Sequence, residues 1–162
     1  MKTLNQYLDA YGVSHRNPTN RLIHFVCVPL IFFATLGLLW CLPLGAWIGL
    51  EGAVADWVNG ATVLAAVSAL FYLKLSFTAA LIMGGWLAVS IGLILLIAAS
   101  PLPLLWTSAA IWVAAWAAQF YGHKVEGAKP SFAEDLLFLL IGPLFVVDEL
   151  CGGFFTETPQ AR

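Results

Sequence analysis

Long apolar runs separated by short polar segments make up most of the chain after residue 24. A helix needs about 20 mainly apolar residues to cross the roughly 30 Å hydrocarbon core of a bilayer. Four runs approach or exceed this length. They are Phe25 to Leu44, Trp57 to Leu73, Leu75 to Ala99 and Pro101 to Tyr121. The pattern therefore predicts an all-α protein, a polytopic membrane helix bundle with four spans.

A fifth apolar stretch, Leu136 to Val147, is shorter and is bracketed by Asp135 and Asp148. Apolar stretches of about 10 to 14 residues are as often re-entrant or interfacial as they are crossing. This segment is expected either to span or to re-enter. The whole chain is interpreted as one integral membrane domain, with a cytoplasmic helix and turn (1–21), a helix bundle (22–150) and a tail (151–162).

The segment before the first span has the pattern of a short amphipathic helix. Thr3 and Gln6 have the spacing of a capping box, in which each side chain satisfies a free backbone N–H group. One apolar face is formed by Leu4, Tyr7, Leu8 and Tyr11. Gly12 can end this helix, and Asn17-Pro18 with Asn20 predicts a turn after it. The helix is expected to lie at the membrane interface or against the bundle.

Composition supports the membrane class. The chain has 61% hydrophobic and 10% charged residues, and its mean hydropathy is +0.90, whereas soluble proteins have about 25% charged residues. The net charge of −2 and the lack of a basic cluster give no indication of nucleic-acid binding. The expected partner is membrane lipid. The three cysteines form no CxxC pair and are interpreted as small apolar side chains.

Loop charges predict the orientation of the spans. The basic residues near them are Lys2, Arg16, Arg21, Lys74, Lys124 and Lys129. The loop of residues 45–56 has two acidic residues and no basic one. Because basic residues are retained in the cytoplasm, the N-terminus, Lys74 and the segment after Tyr121 are predicted to be cytoplasmic. The absence of a targeting extension favours a bacterial inner membrane over an ER membrane.

The chain's three histidines are predicted to lie on this one cytoplasmic face. His15 and His24 stand at the entry of the first span, and His123 stands with Glu126 at the exit of the fourth. A spacing of three puts His123 and Glu126 on one helix face. Two histidines and a carboxylate are typical of non-haem Fe(II) oxygenases, and a third histidine would complete such a site or orient a ligand.

Other interpretations of the same residues stay open. The polar cluster could contact lipid headgroups in a non-catalytic membrane protein, such as a transporter, a lipid-binding protein or an assembly factor. A haem held between His24 and His123 is a further alternative, although histidines at helix rims rarely align across a haem.

Two sequence blocks resemble a known family. Residues 15–24 read HRNPTNRLIH, with Pro29 beyond them, and residues 119–126 read QFYGHKVE, with Pro130 beyond them. These blocks resemble the small membrane-protein family whose characterised fungal member is an Fe(II)-dependent 2-hydroxy fatty acid dioxygenase of α-oxidation. The family also has a tyrosine-containing N-terminal helix and a late apolar segment with Gly-Pro, as at Gly142-Pro143 here.

The resemblance implies a non-haem iron dioxygenase. Its substrates would be O₂ and a 2-hydroxy fatty acid, which would be shortened by one carbon. The family's metal-binding histidines correspond to His15, His24 and His123, and Glu126 is expected to be a further ligand or to hydrogen-bond a ligating histidine. The residues expected to bind the substrate are Arg16, Asn17, Asn20, Gln119 and Lys124.

Overall fold

The computed structural model describes residues 2–130 and 137–155, and every regular element in these ranges is a helix. The helices are α1 (Leu4–Gly12), α2 (Pro18–Trp40), α3 (Leu44–Trp47), α4 (Gly52–Trp57), α5 (Gly60–Leu75), α6 (Phe77–Ala98), α7 (Leu104–Glu126) and α8 (Phe138–Leu150). The predicted all-α class is confirmed. Asp135, Leu136 and residues 156–162 of the predicted tail lie outside the described residues.

Helix α1 forms where its local pattern predicts it. The Thr3 N–H donates to Oε1 of Gln6 at 2.9 Å, and the Gln6 N–H donates to Oγ1 of Thr3 at 3.3 Å. The buried residues of the helix are Leu4, Tyr7, Leu8 and Tyr11. Both the capping box and the apolar face are therefore confirmed.

The start of α2 corrects the predicted turn through Asn20, because the helix already begins at Pro18. Oδ1 of Asn17 accepts a hydrogen bond from the Thr19 N–H at 2.9 Å and so caps the first turn. Proline suits the first helical position, where its missing N–H group would have no partner. Asn20 and His24 consequently lie one helical turn apart.

The first of two compact units contains residues 1–29 and 115–162. Helices α1 and α8 pack together in it. The rings of Tyr7 and Phe138 are 5.8 Å apart, and those of Tyr11 and Phe145 are 4.8 Å apart. Arg21, in the first turns of α2, forms an ion pair with Glu149 near the end of α8.

The second unit contains residues 30–114. Its buried core is formed by Phe33, Ala34, Leu36, Ala61 and Ile94. Asn59 caps α5 by accepting hydrogen bonds from the N–H groups of Ala61 and Thr62. Ser76 separates α5 from α6 and caps the latter, as expected for the boundary between the second and third apolar runs.

Two segments, Pro18–Trp47 and Phe77–Ala98, are long and apolar enough to cross a membrane. Their most apolar windows are only 28% and 17% buried, whereas the core helix of a soluble protein is mostly buried. This low burial fits association with a membrane. No other helix in the described ranges meets the same length and composition criteria. The four spans and the single integral membrane domain therefore stay predictions.

Candidate metal centre

The three histidines lie close together in the first unit. His15 lies in the turn between α1 and α2, His24 lies in α2, and His123 lies in the last turn of α7. Their side chains are only 3%, 1% and 6% exposed. The ring centroids are separated by 4.3 to 5.1 Å. Each imidazole offers one nitrogen, and the three nitrogens lie within 4.8 Å of one another.

Backbone carbonyl groups determine which nitrogen of each ring carries the proton. Nδ1 of His15 lies 2.6 Å from the Tyr11 carbonyl oxygen, and Nδ1 of His24 lies 2.9 Å from the Asn20 carbonyl oxygen. His123 has a backbone hydrogen bond to Ala128. Since a carbonyl oxygen can only accept, the bonded ring nitrogen is the protonated one. The other nitrogen of each ring keeps its lone pair, as a metal ligand requires.

Two of these lone pairs have no partner. Nε2 of His15 and Nδ1 of His123 are buried and make no hydrogen bond. A buried polar atom without a partner costs about 1–3 kcal/mol, so its presence calls for a reason. A bound cation would satisfy both atoms.

The electrostatics of the group also suit a metal. Burial, followed by repulsion from the neighbouring His24, lowers the pKa of His15 to about 3. Burial likewise lowers the pKa of His123. Both rings are therefore neutral near pH 7, and neutral imidazole is the form that binds transition metals.

Metal binding requires the three rings to move closer together. Metal–imidazole bonds are about 2.0–2.1 Å long, so two nitrogens that bind one ion at the tetrahedral angle lie about 3.3–3.4 Å apart. The three nitrogens, which lie within 4.8 Å of one another, would close by up to about 1.4 Å around an ion. The residues present thus fit a first-row transition metal with three nitrogen ligands.

The carboxylate of Glu126 faces backbone and amide donors. Oε1 accepts from the Arg16 N–H at 2.9 Å, and Oε2 accepts from the Asn17 N–H at 2.9 Å and from Nδ2 of Asn20 at 3.1 Å. Desolvation raises the pKa of Glu126, but these hydrogen bonds outweigh it and the net shift is downward. The group of converging ligand atoms in the described residues contains the three histidines and not Glu126.

The other predicted site residues divide into two sets. The side chains of Arg16 and Lys124 are exposed, whereas those of Asn20 and Gln119 are buried. Gln119 lies one helical turn before His123 on α7. Asn17 uses its side-chain oxygen to cap α2.

Tyr11 contacts the site, although the sequence pattern places this residue only on the apolar face of α1. Its ring stacks on His15 with a centroid separation of 4.1 Å and an interplanar angle of 3°. Its carbonyl group also accepts the hydrogen bond from His15. Because His15 lies in the turn after α1, the helical spacing rule does not predict this contact.

The described part of the chain is helical, and its buried group of three histidines is a site of the kind that holds a transition metal. A family profile described as 2-hydroxy-palmitic acid dioxygenase Mpo1-like matches residues 1–154. The chain belongs to this Mpo1-like family. Comparisons with curated proteins and with solved structures find no significant match.

Proposed function

We propose that the protein is an Fe(II)-dependent dioxygenase that shortens 2-hydroxy fatty acids by one carbon at the cytoplasmic rim of a membrane. Membership of the Mpo1-like family supports the dioxygenase class and a 2-hydroxy fatty acid substrate. The observation that carries the proposal is the convergence of His15, His24 and His123 with two buried lone pairs that lack a partner.

The three histidines would hold the metal through Nε2 of His15, Nε2 of His24 and Nδ1 of His123. Bound Fe(II) would supply the redox chemistry and the open coordination positions that a reaction with O₂ requires. The backbone acceptors of the rings keep each lone pair available. The burial of the group and the stacked Tyr11 ring exclude bulk water from one side of it.

Arg16 and Lys124 are the proposed partners of the substrate carboxylate. Both side chains are exposed, and each is adjacent in sequence to a histidine of the group. Arg21 is a weaker candidate because it already pairs with Glu149. Exposed apolar side chains such as Leu22, Val26 and Phe120 suit contact with lipid, from which a fatty acid could present its polar head.

The proposal is tested by metal content and turnover of the purified protein. We expect iron to bind and 2-hydroxypalmitate to be converted to the acid one carbon shorter, with consumption of O₂. Palmitate, which lacks the 2-hydroxyl group, is the matched control and should give no product. Absence of bound iron after anaerobic loading, or equal turnover of both acids, would contradict the proposal. An absorption band of haem would point to the bis-histidine alternative.

The contacts of α8 support a position along the cytoplasmic face rather than across the membrane. Its 13 residues span about 20 Å, less than the roughly 30 Å of a bilayer core. At one end, the Lys2 ammonium lies 5.3 Å from the ring centroid of Phe138. At the other end, Glu149 pairs with Arg21. Both ends thus contact residues that precede the first apolar run.

This arrangement predicts the side from which Cys151 can be labelled. Cys151 is exposed, and it directly follows α8. In a protein with Cys27 and Cys41 replaced by serine, a membrane-impermeant maleimide should modify Cys151 only from the side of the N-terminus. With Cys151 also replaced, Val13→Cys marks that side and Glu51→Cys marks the opposite one. Labelling of Cys151 from the side of Glu51→Cys would mean that α8 crosses.

A further inference from the structure

Asn20 is connected to all three histidine-bearing segments. Its side-chain Nδ2 donates to the Ser14 carbonyl oxygen at 3.1 Å, immediately before His15. The same nitrogen donates to Glu126 at 3.1 Å, and Glu126 lies three residues after His123. The Asn20 carbonyl oxygen accepts from His24. Asn20 is fully buried, so these bonds are shielded from water.

Glu126 completes the connection from the side of α7. Besides Asn20, its carboxylate binds the N–H groups of Arg16 and Asn17, which are the two residues directly after His15. Hydrogen bonds to a carboxylate are roughly twice as strong as neutral ones. The end of α7 is thereby fastened to the turn that carries His15.

We propose that Asn20 and Glu126 form a clamp that sets the three histidines in position for the metal, and that Glu126 is a positioning residue rather than a ligand. The inference rests on the proposed metal site and assigns the role of a side chain next to it. His15 lies in a turn rather than in a helix, so its position relative to His24 and His123 depends on such contacts.

The contacts of the carboxylate give the physical reason for this assignment. Both Oε1 and Oε2 already accept hydrogen bonds, from the N–H groups of Arg16 and Asn17 and from Nδ2 of Asn20. Glu126 lies outside the group of converging ligand atoms, so binding to a metal would require its carboxylate to move, which would release at least part of this set and loosen the turn around His15. Loss of an outer-shell partner typically weakens metal affinity by about 10–100-fold.

The test measures Co(II) binding by the full-length protein, because Co(II) absorption bands report the ligand set. Asn20→Ala and Glu126→Gln should each raise the Kd for Co(II) by about 10–100-fold. At saturation, both variants should give the absorption bands of the wild type. His123→Ala, which removes a ligand, should change the bands or abolish binding.

Two matched controls separate positioning from a general loss of stability. Asn59→Ala removes another buried asparagine, in the second unit, and Glu149→Gln removes the carboxylate that pairs with Arg21. Both controls should keep the wild-type Kd for Co(II), measured well below their unfolding temperatures. Since Asn59→Ala removes a helix cap, it should still unfold at a lower temperature than the wild type.

Three results would overturn the clamp. Altered Co(II) bands in Glu126→Gln would make Glu126 a ligand. If both Asn20→Ala and Glu126→Gln bound Co(II) with wild-type affinity, neither residue would position the histidines, but the proposed function would stand. A wild-type protein that binds neither Co(II) nor Fe(II) would refute the metal site and the clamp together.

Discussion

His24→Ala is expected to abolish metal binding and, with it, the stabilisation that metal confers on the folded protein. Buried lone pairs on His15 and His123 have no partner, which disfavours the metal-free fold by about 1–3 kcal/mol for each atom. A metal that binds only the folded state should stabilise the wild type by about 2.7 kcal/mol at a concentration of 100 times Kd. Without His24, only two ligand nitrogens remain. Loss of an outer-shell partner weakens metal affinity by at most about 100-fold, and we expect the loss of this ligand to weaken it further.

Thermal unfolding in detergent, with and without anaerobic Fe(II), measures this effect. The wild type should show a metal-dependent rise in unfolding temperature, and His24→Ala should show none. Cys27→Ala is the matched control, because Cys27 is also buried in α2 but lies outside the histidine group. It should keep the metal-dependent rise. An equal rise in His24→Ala would show that the metal binds elsewhere.

Elements defined by local patterns could be predicted from the sequence. The capping box and apolar face of α1 need only residues 3–11, and both are present. The end of α7 at Glu126 is equally local, because Gly127 adopts a φ of 74° that favours glycine. Asn17-Pro18 is ambiguous, since the pair suits both a turn and a helix start. The pattern predicts a turn through Asn20, whereas the structure continues α2 from Pro18.

The site could be predicted in part. Loop charges together with the positions of the histidines predict that His15, His24 and His123 can meet, and the structure brings them within reach of one ion. The hydrogen-bond partners of Glu126 could not be predicted, because Arg16 and Asn17 lie 110 and 109 residues away in the chain. Spacing along α7 predicts only the shared face with His123.

The orientation of the histidine rings could not be predicted from the sequence either. The tautomer of each histidine depends on which backbone carbonyl group lies beside it, and for His123 that group belongs to Ala128, beyond the end of α7. The proposed position of α8 along the cytoplasmic face likewise depends on two contacts between residues far apart in the chain, Arg21 with Glu149 and Lys2 with Phe138, and not on its apolar composition.

Gly122→Ala is expected to destabilise the protein although alanine is the better helix former. An added Cβ would lie against Oδ1 of Asn20 and 3.4 Å from both Cγ of Asn20 and Cδ1 of Ile23. Asn20 is fully buried and its Nδ2 has two acceptors, so it cannot move without breaking hydrogen bonds. Overpacking of this kind costs about 1–3 kcal/mol, which exceeds the gain of about 0.5–1 kcal/mol from replacing a helical glycine.

Gly84→Ala in α6 is the matched control, because it shows how the unfolding temperature changes when alanine replaces a helical glycine that has free space around it. Its added Cβ meets nothing within 4 Å, so the gain in helix propensity should appear alone and raise the unfolding temperature. Gly122→Ala should instead lower the unfolding temperature. It should also weaken Co(II) binding, because a displaced Asn20 loses its bonds to Ser14 and Glu126. If Gly122→Ala were as stable as Gly84→Ala and bound Co(II) normally, close packing of α7 against Asn20 would have no part in positioning the histidines.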